Sequence, residues 1–325
     1  EVVVIDSYIN SSEKSLKNIA TIVKLNNQIN NICLEIIKAD IRDEKKLDAL
    51  FASSKALKKP IKAVLHFAGL KSVKESVINP ILYWDVNINS AINLLKIMNK
   101  YDCRTLVFSS SATIYGLSNN QYVSEKSKIN PINPYGKTKS TIEIFLKDIY
   151  TSNPEKWRIV NLRYFNPIGA HNSGLIGEDP MGIPKNLFPF LTQIASGNFK
   201  KLNIYGNDWP TRDGTGIRDY IHVMDLAEGH LAALEYLFNN KPQIINLNLG
   251  TGKGTSVLEL VKVFEKVNQI NIPYTFSKRR SGDVASLVAD TSLAMSCLNW
   301  MPKRSLREMC ADGWKWQSSN PDGYK

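Results

Sequence analysis

The chain has 325 residues, 43% of them apolar and 22% charged, and 41 basic against 30 acidic side chains leave a formal charge of +11. This composition excludes a disordered chain and suits an enzyme with one large domain and a smaller one. The lysines are scattered and form no long basic block, so we predict no nucleic-acid partner. No apolar stretch approaches the ~20 residues of a membrane span and no signal-peptide pattern precedes the first strand, which predicts a cytoplasmic protein with no membrane partner.

The cysteines and histidines favour neither a disulfide framework nor a metal centre. The cysteines are far apart and lie mostly in apolar segments, which predicts reduced core thiols at Cys33, Cys103, Cys297 and Cys310. The histidines form no metal-ligand spacing with them; they are His66, His171, His222 and His230. We therefore predict no metal site.

Strand and helix patterns alternate through the first half of the chain. Strands are predicted at 1–6, 32–39, 63–67, 103–108 and 158–164, and helices at 12–24, 43–57, 80–100 and 134–151. This alternation predicts an α/β fold with a Rossmann-like doubly wound parallel sheet over residues 1–165. Proline and glycine become frequent after Asn166, which predicts a smaller α/β C-terminal substrate domain over 166–325. Parts of 222–249, a helix near 223–237 and a strand near 244–249, could return to the first sheet.

Asp6 ends the first predicted strand, where an acid commonly hydrogen-bonds the adenosine ribose of a dinucleotide and favours NAD over NADP. The glycine loop that cradles the pyrophosphate should lie ~20 residues before such an acid, and this sequence does not contain it. We expect that the sequence is a fragment of a longer protein. A chain that binds cofactor poorly is the alternative, and Asp6 alone would be read as an ordinary turn residue.

Tyr135 and Lys139 put a phenol and an ammonium on one helix face, because Asn133 is a natural cap, Pro134 suits the first helical position, and residues four apart are neighbours. A nearby ammonium can stabilise a phenolate, which would make the tyrosine a usable base. Upstream, a buried strand leads into the hydroxyl cluster 109–111, at the sheet edge where ligands usually bind. Chance alignment on an exposed helix is the alternative for the tyrosine and lysine alone.

A strand, a Ser-Ser-Ser-Ala-Thr-Ile-Tyr-Gly turn and a later Tyr-x-x-x-Lys resemble the extended short-chain dehydrogenase/reductase family. The resemblance implies that the catalytic residues are Ser111, Tyr135 and Lys139. It also implies NAD as cofactor, contacted by Asp6, Asn10, Ser11, Asp40, Ile41, Phe67, Ala68, Gly69, Lys71, Asn87, Tyr135, Lys139 and Phe165. In this set Gly69 would let the backbone approach the pyrophosphate closely, and Lys71 could reach anionic oxygens.

Several further segments, in order at 162–171, 177–180, 182–187, 206–208 and 218–223, resemble the UDP-glucose 4-epimerase family over essentially the whole chain. By that resemblance the substrate-binding residues are Ser111, Ala112, Thr113, Tyr135, Tyr164, Asn166, Asn186, Leu187, Asn203, Ile204, Tyr205, Arg218, Arg280 and Asp283. Arginine suits the diphosphate because its planar fork can bind phosphate oxygens bidentately. Each arginine alone could equally be a surface charge.

The resemblance implies interconversion of UDP-galactose and UDP-glucose through a 4-keto intermediate, with transient reduction of bound NAD. By the same resemblance, Leu287 lies where the size of a side chain beside the sugar's 2-position governs acceptance of N-acetylated sugars. Leucine is smaller than an aromatic ring, so UDP-N-acetylhexosamines are expected as further substrates. The alternative is that Leu287 is simply a core residue. The helices near 80–100 and 134–151 would pair in a homodimer. A nucleotide-sugar 4,6-dehydratase is the nearest alternative, although residues 111–115 offer no carboxylate for it, and a non-catalytic nucleotide-sugar binder is the other.

Overall fold

The computed structural model describes residues 1–25, 34–117, 122–280 and 282–324. Its strands are β1 (Val2–Asp6), β2 (Leu34–Lys38), β3 (Ala63–His66), β4 (Thr105–Ser111), β5 (Tyr122–Val123), β6 (Arg158–Tyr164), β7 (Asn166–Ile168), β8 (Leu202–Tyr205), β9 (Ile217–His222), β10 (Gln243–Leu249), β11 (Gly254–Ser256), β12 (Tyr274–Ser277) and β13 (Ser286–Ala289). Its helices are α1 (Glu13–Leu25), α2 (Glu44–Ala56), α3 (Val73–Ile78), α4 (Pro80–Trp84), α5 (Ser90–Lys100), α6 (Pro134–Ser152), α7 (Leu187–Ala195), α8 (Val223–Asn239), α9 (Val257–Asn268), α10 (Ser292–Leu298) and α11 (Leu306–Ser319).

The first half forms parallel sheet in two pieces within the described residues. One piece is the pair β1–β2, and the other has the order β10-β6-β4-β3. The predicted return of the strand near 244–249 is confirmed, because β10 pairs with β6 along its whole length. The α/β class and the doubly wound parallel arrangement are as predicted, while the domain boundaries stay a prediction.

Side chains of β4 and β6 alternate between two apolar layers, as they must when both faces of a sheet are covered. On one face Leu106, Phe108 and Ile159 pack with α2, α5 and α6. On the other, Val107, Val160 and Leu162 pack with α8 and α10. The edge of the sheet where these strands end therefore lies between α6 and α8.

Two element predictions need correction. The strand predicted to end at Phe108 continues to Ser111, because Ser109 to Ser111 stay paired with Leu162 to Tyr164 of β6. The hydroxyl cluster is thus strand and not loop. The helix predicted over 80–100 is divided by a π-helical turn at Asp85–Asn89, a geometry that often marks functional positions. The predicted start of the second strand at residues 32 and 33, and Cys33, lie outside the described residues.

Strands of the second half, together with β5, build a five-stranded sheet of order β11-β9-β13-β5 with β7 paired to β9, and β12 and β8 form a separate pair. The sheet and helices α7, α9 and α11 share one apolar cluster that includes Leu191, Phe264 and Met309. The thiols of Cys103 and Cys310 are buried, and burial raises their pKa values to about 11 and about 12. Among the described residues, none of the helices has the length and apolarity needed to cross a membrane.

Candidate active site

The helix that carries Tyr135 and Lys139 begins where the sequence predicts. Asn133 is extended and its side-chain oxygen accepts a hydrogen bond from the Gly136 amide at 2.8 Å, while Pro134 occupies the first helical position. Gly136 is required by space, since a Cβ there would lie 3.0 Å from the Thr113 carbonyl oxygen. The first turn of α6 therefore sits directly against the turn that follows β4.

Lys139 is buried, and its ammonium lies over the end of the sheet. The Nζ atom donates to the Ser109 carbonyl oxygen at 2.7 Å and lies 4.9 Å from the Phe108 ring centroid and 5.9 Å from that of Tyr135. Burial lowers the pKa of Lys139 to about 8. The predicted shared helix face is present, but the ammonium is anchored on the β4 backbone.

The phenol of Tyr135 differs from the expectation in its titration. Burial raises the pKa of Tyr135, and a hydrogen bond with Ser111 acts in the opposite direction. Lys139 donates its hydrogen bond to the Ser109 carbonyl, and its Nζ atom lies 5.9 Å from the centre of the Tyr135 ring. Ser111 also accepts hydrogen bonds from the Thr113 amide at 3.2 Å and its hydroxyl at 3.0 Å.

The segment after β3 packs closely against the π-helical turn and α6. Gly69 has φ +154°, and a Cβ there would lie 3.0 Å from Asn87 Oδ1 and 4.0 Å from Lys139 Nζ. Asn87, buried in the π-helical turn, accepts from the Leu70 amide at 2.8 Å and donates to its carbonyl at 3.2 Å and to Thr138 at 3.0 Å. One amide side chain thereby joins this backbone segment to α6. The expected cofactor residues Asn87, Gly69 and Lys139 are brought together.

Asp6, the acid predicted to bind the ribose, is held in place by hydrogen bonds from its own loop. Asp6 Oδ1 accepts hydrogen bonds from the Tyr8 amide at 2.8 Å and the Ser11 hydroxyl at 2.9 Å. Asn10 and Ser11 are exposed beside it. The Tyr8 hydroxyl is buried and has no hydrogen-bond partner among the described residues.

At the next strand end, Asp40 binds the guanidinium of Arg42 through two oxygens, and this lowers the pKa of Asp40. Asp40 lines an open surface cavity of about 530 Å³. Ile41, in contrast, packs in the core with α2 and α5, so only its backbone could contact adenine.

Several predicted residues make contacts that the sequence did not indicate. The Tyr164 hydroxyl forms a hydrogen bond with Nε2 of His230 on α8. Phe67, 55% exposed, contacts the same imidazole with ring centroids 4.8 Å apart and the ring planes tilted by 42°. The contact of Tyr164 with the sugar and diphosphate stays a prediction. Lys71 forms an ion pair with Glu178 at 2.9 Å. Phe165 and Ala112 lie in one buried cluster beneath the strand ends, while Ala68 is exposed.

The predicted diphosphate and uridine residues fall into two groups. Arg218 donates to the Val284 carbonyl at 3.0 Å and lies 3.6 Å from Asp283. Arg280 stacks on the Tyr205 ring at 3.7 Å. Exposed arginine and aromatic surface at one place suits a phosphate and a base. The neighbouring Ser281 lies outside the described residues.

The remaining substrate-side predictions fall in the second half of the chain, some at its surface and some in its core. Asn203 accepts a hydrogen bond from Thr275 at 3.0 Å, Asn186 is exposed at the start of α7, and Asn166 begins β7. Leu187 and Ile204 belong to an apolar cluster, and Ile204 is 1% exposed. Their side chains are structural, so a contact of Ile204 with a ligand would be through its backbone.

Sequence reasoning missed His230, Glu143 and Arg163, which surround the site. Arg163 and Glu143 form a buried ion pair beside β4. Glu143 could have been found, since it continues the spacing of Tyr135 and Lys139 along one helix face. Arg163 stands among buried residues of β6, and a cation there requires a partner. His230 has none, because its neighbours are distant in sequence. In the described part of the chain no acidic, histidine and cysteine side chains cluster as a metal site.

Known proteins share this arrangement. The family model described as GDP-mannose 4,6 dehydratase matches residues 1–313. UDP-glucose 4-epimerase of Bacillus subtilis is 48% identical over all of this chain and 92% of its own length. The crystal structure of UDP-glucose 4-epimerase from Bifidobacterium longum in complex with NAD+ and UDP has a TM-score of 0.91 at 42% identity, covering 99% of this chain and 92% of that one.

A more distant structure, the UDP-Glc/GlcNAc 4-epimerase from Campylobacter jejuni, has a TM-score of 0.80 at 32% identity, covering 98% of this chain and 92% of that one. The agreement extends from the sheet of the first half to α11 at the end of the chain. With the tyrosine, lysine and serine placed as described, the chain belongs to the UDP-glucose 4-epimerase family of extended short-chain dehydrogenases/reductases.

Proposed function

We propose that this chain interconverts UDP-glucose and UDP-galactose, with NAD as a resident cofactor. The observation that carries the proposal is that Tyr135, Lys139 and Ser111 meet at the end of β4, beside the segment that contains Gly69. The relatives with that activity match nearly the whole chain. Asp6 and Asn87 would hold the cofactor at its ribose and beside the active site.

Tyr135 exchanges a proton with the 4-hydroxyl of the sugar, and Ser111 shares that hydroxyl's hydrogen bonds. NAD, when bound, would supply a reversible hydride acceptor. Lys139 remains fixed on the Ser109 carbonyl, where its ammonium orients polar groups above the strand. As a phenolate Tyr135 takes the proton of the 4-hydroxyl in the oxidation half, and as a phenol it returns that proton to the 4-keto sugar, so no proton is lost over the cycle.

Inversion at C4 requires that the sugar present either face to the same site. Arg218 and Arg280 would hold the diphosphate, and Tyr205 would hold the base. These contacts are to the UDP portion, whereas Tyr135 acts on the hexose. Firm binding of the UDP portion with few contacts to the hexose permits the sugar to turn. A 4,6-dehydratase would need carboxylates after Ser111, and Ala112 and Thr113 provide none.

Replacement of the phenol tests the function directly. Tyr135→Phe should lower kcat by about 10²–10⁴-fold, because it removes the proton-transferring group, and leave KM for UDP-galactose nearly unchanged. The measurement is UDP-glucose formation by the full-length protein, with absorbance of bound NAD recorded in parallel. Tyr150→Phe on the same helix is the control and should retain wild-type activity. An undiminished rate in Tyr135→Phe, or purified protein without stoichiometric NAD, would refute the proposal.

Substrate breadth depends on Leu287. This side chain packs against the cluster of Ala112 and Phe165 at the end of β4, so it is near the site and also partly core. We infer that a leucine leaves room for an N-acetyl group and that UDP-N-acetylglucosamine is turned over at a measurable rate. Leu287→Phe should lower that rate more than the rate with UDP-galactose. Activity on UDP-galactose alone in the wild type would contradict the inference.

We propose a homodimer formed through α3, α4 and α6. These helices pack together and expose large apolar side chains at Val77, Ile78, Ile81 and Ile144. Such contiguous apolar surface is typical of protein interfaces. A cytoplasmic location stays a prediction.

A further inference from the structure

A buried ion pair lies between the helix that carries Tyr135 and the sheet. Glu143 of α6 is 6% exposed and Arg163 of β6 is 1% exposed. The guanidinium donates to both carboxylate oxygens, Nε to Oε1 at 3.0 Å and Nη2 to Oε2 at 2.7 Å. Two parallel bonds fix the position and the orientation of both planes.

The same carboxylate reaches the strand that carries Ser111. Ser110 donates to Glu143 Oε1 at 2.6 Å. Arg163 Nη1 donates to the Tyr115 hydroxyl at 3.0 Å and to the Glu125 carbonyl at 3.1 Å, and Tyr115 donates to Asn248 at 2.6 Å. The pair therefore joins α6, β4, β6 and the turn after Ser111.

The location of these bonds relates them to the reacting groups. Glu143 lies one helical turn beyond Lys139 and two beyond Tyr135 on the same face of α6. Ser110 is the neighbour of Ser111, and Tyr115 ends the short helix that Ser111 caps. A shift of α6 along or about its axis would break the bidentate pair and change the distance between Tyr135 and Ser111 together.

We propose that Glu143 and Arg163 are positioning residues, which set the axial and rotational register of α6 against β4 so that Tyr135 meets Ser111. Stability alone does not require a charged pair here, since apolar side chains of similar volume often stabilise a core as well or better. An apolar pair would not select one register. The proposal rests on the proposed function, because it concerns the same phenol.

Charge-conserving variants separate positioning from charge neutralisation. Glu143→Asp shortens one partner by a methylene, and Arg163→Lys replaces the fork with a point charge. Each should lower kcat per bound NAD by about 10- to 100-fold, because displacements of about 1 Å have effects of this size. KM for UDP-galactose should stay within about twofold, since uniform substrate binding is retained. Asp148→Asn, which removes an exposed charge from the same helix, is the control and should match the wild type.

The pH dependence of kcat distinguishes positioning from a purely structural role, because a loss of stability alone would not change it. With Tyr135 displaced from Ser111, the acid limb should shift to higher pH, because the hydrogen bond opposing the effect of burial is weakened. Unchanged kcat per bound NAD and an unmoved limb in folded Glu143→Asp would overturn the proposal. If both charge-conserving variants fail to fold, Ser110→Ala decides in the same assays. An inactive wild type would instead refute the proposed function.

Discussion

Burial decides the protonation of the imidazole beside Tyr164. His230 is 3% exposed, and its Nδ1 lies 2.7 Å from the Leu226 carbonyl, which fixes the proton there and leaves Nε2 to accept from the Tyr164 hydroxyl. Burial lowers the pKa of His230 to about 4 from 6.5. The folded protein therefore keeps this ring neutral at a pH at which the unfolded chain protonates it.

This difference predicts a pH-dependent stability. The folded pKa is the lower one, so the stabilisation is present above pH 6.5 and is lost as pH falls from 6.5 towards about 4. His230 should contribute a fall of about 1 kcal/mol in the free energy of unfolding between pH 6 and pH 5. Urea unfolding of wild type and His230→Gln at both values measures it. The free energy of unfolding of His230→Gln should depend less on pH than that of the wild type. His171→Gln is the control, and it should alter the pH dependence less, because His171 is less buried than His230. Equal pH dependence in the wild type and His230→Gln would contradict the assignment.

Among the elements, α6 has the most demanding placement, because its first turn carries the reacting phenol. Asn133 satisfies the Gly136 amide there. At the start of α11 the Ser305 side chain likewise accepts a hydrogen bond from the Glu308 amide, and the Glu308 carboxylate accepts one from the Ser305 amide. The two caps are alike in chemistry, but only the first adjoins the site. They therefore form a matched pair for separating stability from activity.

Removal of either cap should destabilise the protein by about 1 kcal/mol. Asn133→Ala should also lower kcat, because a frayed first turn no longer holds Tyr135 beside Ser111. Ser305→Ala should leave kcat unchanged at temperatures at which the protein is folded. Thermal unfolding and steady-state kinetics on the same preparations give both quantities. Equal kcat values for the two variants would show that the first turn is held by packing alone.

For the whole molecule, the exposed apolar side chains on α3, α4 and α6 are the feature that a monomer does not explain. Ile81 is 83% exposed, and Val77 and Ile144 are also largely exposed. A charge at the centre of such a surface would be buried without a partner in a dimer, at a cost of several kcal/mol. The same charge on an isolated monomer would remain hydrated.

Ile81→Asp should therefore convert the dimer to a monomer, as measured by sedimentation equilibrium. Leu231→Asp is the control, since Leu231 is 58% exposed on α8, away from this surface, and should leave the assembly unchanged. A wild-type protein that sediments as a monomer would exclude the proposed homodimer. A dimer that persists in Ile81→Asp would place the interface elsewhere.

The sequence alone was sufficient for the α/β class, the strand and helix order of the first half, the start of α6 and the joint placement of Tyr135 and Lys139. These follow from local causes: apolar periodicity, the Asn133 cap and the four-residue helical spacing. The family resemblance needed only the order of short segments along the chain, and the relatives confirm it.

Contacts between distant segments were decided by the tertiary structure. Pairing with β6 extends β4 through Ser111, and the Ser109 carbonyl, 30 positions from Lys139, accepts a hydrogen bond from its ammonium. Glu143 and Arg163, and likewise Tyr164 and His230, meet only because strands and helices pack together. Spacing along a chain determines neighbours on one element, whereas burial, which shifts pKa values and selects ion pairs, depends on every element that covers the site.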